Sequence, residues 1–126
     1  MTGGGLHLLQ YSMTQTLILV RGLPGSGKST VAKTLAKYRH LEAGNSIINI
    51  HLEADMYFTN RLDGVYTFDP SHIRQAHLWC QDEARRALDM GISVIVSNTF
   101  SMIWEMQPYL DMAKALNVPV QVITCQ

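Results

Sequence analysis

Nine consecutive residues carry the densest chemical signal in the chain. Gly22-Leu23-Pro24-Gly25-Ser26-Gly27-Lys28-Ser29 fits the spacing G-x-x-x-x-G-K-[ST], and Thr30 follows it. Each residue type has a physical reason. Glycine takes positive φ without steric cost and lets the backbone approach a ligand closely. The N–H groups of such a loop converge on one concavity that fits phosphate oxygens. A helix starting where the loop ends adds its positive N-terminal end. Lys28 would set an ammonium between the β- and γ-phosphates, and the Ser29 hydroxyl would face Mg²⁺. The spacing therefore assigns Gly22, Leu23, Pro24, Gly25, Ser26, Gly27, Lys28, Ser29 and Thr30 to a nucleoside triphosphate with Mg²⁺. It does not assign a reaction, because kinases, GTPases and ATPases share it.

A second group lies downstream. Asp55 follows an apolar run, Ser46–Leu52, that reads as a strand. In open α/β sheets the ligand crevice lies outside the C-terminal ends of the strands. A carboxylate placed there can accept or orient the proton of an attacking hydroxyl. Glu53, two residues earlier, offers the same chemistry from a different direction. The plain alternative for both is a solvated loop acid.

These residues need elements to hold them, and the sequence supplies an alternating set. Thr16–Arg21 is apolar on successive positions, the pattern of a central parallel strand covered on both faces. Ser29–Tyr38 places Val31, Leu35 and Tyr38 at helical spacing. Residues 56–68 hold an Asp63-Gly64 turn and read as a loop or small hairpin. Asp69 can cap a helix with Pro70 at its first position, and Gly91 ends it. Its expected inner face is Ile73, Ala76, His77, Cys80, Ala84, Ala87 and Leu88. Ile92–Ser97 reads as a third strand. Ile103–Leu116 reads as a helix with Met106, Leu110 and Ala113 inward, and Pro108 implies a late start or a kink. Val118–Thr124 reads as a fourth strand. The expectation is an α/β three-layer sandwich, with a parallel sheet and right-handed crossovers. Residues 1–15, with a Gly3-Gly4-Gly5 run, read as a flexible lead before one domain, 16–126.

Composition narrows the function classes. The chain has 126 residues, 10 basic and 10 acidic, for a formal net charge of zero. That argues against a strongly basic nucleic-acid module. Residues 1–52 nevertheless hold five basic residues and one acid, so the phosphate loop sits in a positive segment that suits a small anionic ligand. No apolar run approaches the roughly 20 residues of a membrane span, so no membrane partner is expected. Cys80 and Cys125 form no metal or redox spacing, and a reduced, cytoplasmic chain is the expectation. His77 and Cys80 lie one turn apart, but no second pair closes a zinc site. Trp79, Trp104, Met102 and Met106 read as core packing or as a stacking surface for a base. Tyr57, Arg61 and Tyr66 fall in the segment after Asp55, which reads as an acceptor loop or as hairpin packing. Asp82, Glu83, Arg85 and Arg86 read as a solvated helix face with local ion pairs.

Taken together, GLPGSGKST after an apolar strand, A-D-M-Y-F after the second, a third strand ending S-N-T, and then W-E-M-x-P-Y resemble a known group. The chain is similar, from about Thr16 to Cys125, to P-loop kinase-like domains of the polynucleotide kinase and zeta-toxin kind, an AAA-type group. The resemblance implies a Mg-ATP-dependent phosphotransferase with strand order 2-3-1-4-5. It implies that Lys28 and Asp55 are catalytic, Asp55 activating an acceptor hydroxyl. It implies that Tyr57 lies in the acceptor-side loop and that Asn98 and Thr99 line the site near the phosphates. The acceptor it implies is a polynucleotide 5′-hydroxyl or a small molecule.

The chain departs from the pattern in three places. Ser97 stands where the group commonly has an aspartate. Relatives often carry an arginine just after the catalytic aspartate, and here Arg61 is the nearest, a candidate substrate contact. A lid with arginines and a last strand is expected after the fourth strand in such kinases, and the sequence ends there. A nucleotide-binding module or fragment without efficient catalysis is the alternative reading.

Overall fold

In the computed structural model, which describes residues 15–42 and 49–126, Leu17–Arg21 forms the first strand, β1. Leu17, Ile18, Leu19 and Val20 are all buried. The strand is therefore covered on both faces, as its unbroken apolar run requires. Helix α1 spans Lys28–Glu42 and strand β2 Asn49–Leu52. A short 3₁₀ turn, Ala54–Phe58, follows β2. Another, Pro70–His72, leads into helix α2, Ile73–Asp89. Strand β3 is Ser93–Asn98, helix α3 is Ile103–Ala115 and strand β4 is Val120–Thr124.

The four strands form one parallel sheet in the order β2-β3-β1-β4. These are the first four places of the order that the family resemblance implies. The register sets Val20 beside Ser97 and Arg21 beside Asn98 on one side of β1, and Arg21 beside Thr124 on the other. Strand alternation then sorts side chains into two layers. Ile18, Val20 and Ile95 pack with Ala32 on the α1 side. Leu17, Leu19, Val94 and Val96 pack with residues of α2 and α3, among them Ala76, Cys80, Tyr109 and Met112, on the other. Burying each large aliphatic side chain contributes about 1.5–3 kcal/mol before ordering costs. The result is the expected three-layer α/β sandwich. Among the described residues no helix is long and apolar enough to cross a membrane.

Boundaries moved in ways that have local causes. α1 runs longer than Ser29–Tyr38 at both ends. The expected start of the second strand at Ser46 lies outside the described residues, as does nearly all of the expected lead. Gln15, the described residue of that lead, is tied down: its side-chain amide donates to the carbonyls of Leu88 at 2.8 Å and Ile92 at 3.0 Å. Residues 59–66 form the small hairpin, with an antiparallel bridge between Thr59 and Tyr66 and Gly64 at φ 72°. Asp69 caps as expected, its carboxylate accepting from the Ser71 amide at 3.0 Å.

Two expectations about faces are corrected. Ile73 and His77 are exposed, not inward. They sit in the first turns of α2, where they wall cavities instead of meeting another helix. α3 starts at Ile103 and carries Pro108 inside it, so the proline imposes no late start. The first turn of α3 is closed by Glu105, whose carboxylate accepts from the Met102 amide at 3.2 Å. Met106 is buried, but Met102 and Trp104 are exposed and do not join the core. The ion pairs of the α2 face are present, Arg86 to Asp82 at 2.7 Å being the shortest.

Candidate active site

A parallel sheet puts the C-terminal ends of all its strands at one edge, and the loops there enclose the crevice. The phosphate loop joins β1 to α1 at that edge. Gly25 and Gly27 have φ of 81° and 87°, a region that side chains rarely adopt. Gly22 is required for a different reason. A Cβ there would lie 2.4 Å from the Ser26 hydroxyl and 2.9 Å from the Cys125 carbonyl. The loop is closed by the Ser26 amide donating to the Leu23 carbonyl at 3.1 Å, and by Val31 to Gly27 at 3.0 Å. Among the described residues, the amides of Gly25, Gly27, Lys28, Ser29 and Thr30 donate to no loop carbonyl. They are the unmet donors of a helix N-terminus and its approach. The Ser26 hydroxyl is also buried without a partner. A set of free donors beside an ammonium fits a phosphate chain. Lys28 is near the Leu23 carbonyl, at 3.5 Å, and is otherwise uncommitted.

Beside the loop is a cavity of about 620 Å³, lined by Pro24, Lys28, Glu53, Asp55, His77, Ser97, Asn98 and Thr99 among others. Lys28 and Asp55 thus line one space. That volume lies in the range of small-ligand sites. Asp55 stands on the 3₁₀ turn after β2. The turn is pinned by Asn98, whose side-chain oxygen accepts from the Ala54 amide at 2.9 Å. Asn98 is buried, so it both borders the cavity and positions the segment that bears Asp55. The Tyr66 hydroxyl donates to Asp55 Oδ1 at 2.6 Å. That hydrogen bond is the main reason the Tyr66 phenol is held above its ordinary pKa. Thr99 lines the same cavity and accepts from the Gly22 amide at 3.3 Å.

The remaining expected contacts are dispersed. Tyr57 packs edge-on to Phe58, with ring centroids 5.3 Å apart, and lies 6.2 Å from Trp79. It lines a separate, shallow cavity with Asn60 and His72. Arg61 is exposed in the hairpin and lines neither cavity. Ser29 is half-buried in the first turn of α1, and Thr30 is exposed there. Among the described residues no group of three or more His, Cys, Asp or Glu is placed to hold a metal ion. Magnesium does not need one, because it is commonly held by one or two protein oxygens, substrate phosphates and water.

One arrangement escaped the sequence. The Ser97 hydroxyl donates to Glu53 Oε2 at 2.9 Å and lies 2.6 Å from His51 Nε2. Ser97 is 1% exposed. Burial is the main cause that lowers the His51 pKa, with Lys33 adding to it and Glu53 opposing it. The signal available in advance was the period-2 run Asn49–Glu53, which puts His51 and Glu53 on one face. Their partner on β3 could not be read.

Comparison with known proteins agrees with this fold. A family model described as an AAA domain matches residues 17–126. Human NEDD4-binding protein 2 is 38% identical over 99 residues, 78% of this chain, and the chain spans 5% of that protein's length. The APS kinase CysC of Mycobacterium tuberculosis, solved in complex with AMPPNP and APS, is similar with a TM-score of 0.64 at 21% identity, over 90% of this chain and 63% of that one. Pnkp1, in its complex with Rnl and Hen1, gives a TM-score of 0.64 at 18% identity, over 90% and 36%. At these identities the likeness to the solved structures is one of fold. A phosphate loop between β1 and α1, a parallel sheet in the order β2-β3-β1-β4 and a family match over nearly all the described residues lead to one conclusion: the chain is a P-loop kinase-like domain and belongs to the AAA domain family.

Proposed function

We propose that this chain binds ATP with Mg²⁺ and transfers the γ-phosphoryl group to a hydroxyl acceptor, either a polynucleotide 5′-hydroxyl or a small molecule. The observation that carries the reading is the sharing of one cavity by Lys28 and Asp55. The free amides of Gly25, Gly27, Lys28, Ser29 and Thr30 take phosphate oxygens, and Lys28 supplies the countercharge. Ser29 holds Mg²⁺, which when bound neutralises charge on the phosphates. Asp55 accepts the proton of the acceptor hydroxyl as its oxygen bonds to phosphorus. The bond from phosphorus to the bridging oxygen breaks, and ADP leaves with that electron pair. Asn98 and Thr99 form the wall between the two substrates. Tyr57 and Arg61 belong to the acceptor side only if the hairpin turns toward the cavity.

The second reading is a nucleotide-binding module with poor turnover. The observation in its favour is that no arginine lines the cavity among the described residues. Arginines that meet the transferring group contribute about 10³–10⁵ in rate. One experiment decides. The protein is given labelled ATP and Mg²⁺ with 5′-hydroxyl oligonucleotides and a metabolite panel, beside an Asp55→Asn variant. Transfer that disappears in the variant supports the phosphotransferase. Tight ATP binding with no transfer in any panel supports the module.

A further inference from the structure

β3 presents no carboxylate at the end that faces the phosphate loop. Its last residues are Ser97 and Asn98, and Thr99 follows. The carboxylates that line the cavity among the described residues are Glu53 and Asp55, and they have different partners. Ile50 and Leu52 pack on the α2 and α3 side of the sheet. Glu53 continues extended, with φ −145° and ψ 148°. His51 and Glu53 therefore project to the opposite side, over α1. Val94 and Val96 pack on the α2 and α3 side and Ile95 on the α1 side, so Ser97 also faces α1. α1 is the helix that opens with Lys28 and Ser29. In the register of the sheet Ser97 is the partner of Val20, two residues before Gly22. Glu53, Ser97 and the base of the phosphate loop thus stand in a row across β2, β3 and β1.

Hydrogen bonding fixes the direction of this row. Ser97 has one proton, and it goes to Glu53 Oε2 at 2.9 Å. Its oxygen must then accept from His51 Nε2, 2.6 Å away. That requires the proton of the imidazole to sit on Nε2. Glu53 Oε1 takes no hydrogen bond among the described residues. Asp55 is committed elsewhere: it is held by the hairpin through Tyr66 at 2.6 Å.

We propose that Glu53, oriented by Ser97 and His51, is the carboxylate that accepts hydrogen bonds from water on the Mg²⁺ at Ser29. Asp55 is left to the acceptor hydroxyl. The inference rests on the Mg-ATP reading above and adds a metal-side residue to it. Magnesium retains several waters in such sites, so a carboxylate that receives their protons sets its affinity. Loss of an outer partner of this kind commonly costs about 10–100-fold in metal affinity. His51 and Ser97 are positioning residues, since they act through Glu53.

The test uses Mn²⁺ as a paramagnetic substitute, with ATP as the nucleotide. ATP affinity is measured in EDTA, and Mn²⁺ affinity of the ATP-bound protein is read from the free-ion resonance. Glu53→Gln keeps the hydrogen bond from Ser97 and the fold. It is expected to leave metal-free ATP affinity within about twofold and to weaken Mn²⁺ about tenfold or more. Asp55→Asn is expected to leave Mn²⁺ affinity in place. Glu53→Gln combined with Ser97→Asp returns a carboxylate to the row and is expected to recover Mn²⁺ affinity. Unchanged Mn²⁺ affinity in Glu53→Gln overturns the proposal. So does loss of Mn²⁺ affinity in Asp55→Asn alone. A wild-type chain that binds no ATP in EDTA or with Mn²⁺ refutes the nucleotide reading itself, a different failure.

Discussion

The phenol of Tyr66 donates to Oδ1 of Asp55 at 2.6 Å, so a hydroxyl from the chain itself occupies the proposed base. An acceptor hydroxyl must share or replace that contact. Tyr66 sits across the hairpin bridge from Thr59, and the carboxylate holds its proton on at neutral pH. Tyr66→Phe is therefore expected to lower KM for the acceptor several-fold while kcat stays within about threefold. Asp55→Asn is expected to lower kcat about 10²–10⁴-fold with ATP affinity retained. Steady-state kinetics separates the two. A Tyr66→Phe variant that loses kcat at constant KM would mean that the phenol aims the carboxylate and does not compete for it.

The phosphate loop makes two variants distinguishable by their signatures. Gly22→Ala drives a methyl group to 2.4 Å from the Ser26 hydroxyl and 2.9 Å from the Cys125 carbonyl. The backbone carbonyl cannot swing aside, so the loop must shift, at about 1–3 kcal/mol. Both the melting temperature and ATP affinity are expected to fall. Lys28→Ala removes a cation whose contact in the structure is a 3.5 Å approach to Leu23. Its melting temperature is expected to hold while ATP affinity drops tenfold or more. Calorimetric titration and thermal melts read both. Unchanged ATP affinity in Lys28→Ala would remove the loop from the site.

How much of this was legible in the sequence depended on distance along the chain. β1 and the loop after it were readable because their signals are local: an apolar run for double burial and glycines at fixed spacing. The capping by Asp69 of the 3₁₀ turn that leads into α2 is equally local. The link from Ser97 to Glu53 spans 44 residues and forms only when β2 and β3 pair. Read alone, Ser97 is a poor group for Mg²⁺, and nothing in its neighbours shows that a glutamate leans on it. Asn98 shows the same limit. The family resemblance implied a lining residue, and Asn98 does border the cavity, but that its buried oxygen also pins the Ala54 amide could not be read. Helical periodicity placed Ile73 and His77 inward because it records a face, not what stands opposite that face.

Phe100 is a test of the core beneath the site. It is 2% exposed, and its ring meets Tyr109 edge-on, with centroids 5.7 Å apart at 88°. Its carbonyl accepts from the Arg21 guanidinium at 3.0 Å, which ties the end of β1 to the segment after β3. Phe100→Ala is expected to cost about 3–5 kcal/mol from lost burial and the cavity left behind. Urea unfolding would show a lower midpoint with a similar slope. A loss below about 1 kcal/mol would mean that the neighbouring side chains collapse into the space.

Cys80 makes the fold less stable at alkaline pH. It is fully buried, and burial raises its thiol pKa, the Asn98 amide that donates to its sulfur at 3.9 Å opposing the shift. The unfolded chain loses this proton near the ordinary value of about 8.5, while the folded chain keeps it. Above that pH the folded state binds the extra proton, so stability falls as pH rises, by up to about 1.4 kcal/mol per pH unit, until the folded thiol also ionises. Cys80→Ala removes this titration. The variant is expected to start less stable at pH 7, and its Tm is expected to fall less than that of wild type between pH 8 and pH 10. Native alkylation at pH 8 supplies a second reading. The half-buried Cys125 is expected to react well before Cys80, because the thiolate is the nucleophile. Equal labelling of both cysteines in the native protein, or parallel pH profiles of wild type and Cys80→Ala, would show that the thiol is not held protonated by the core.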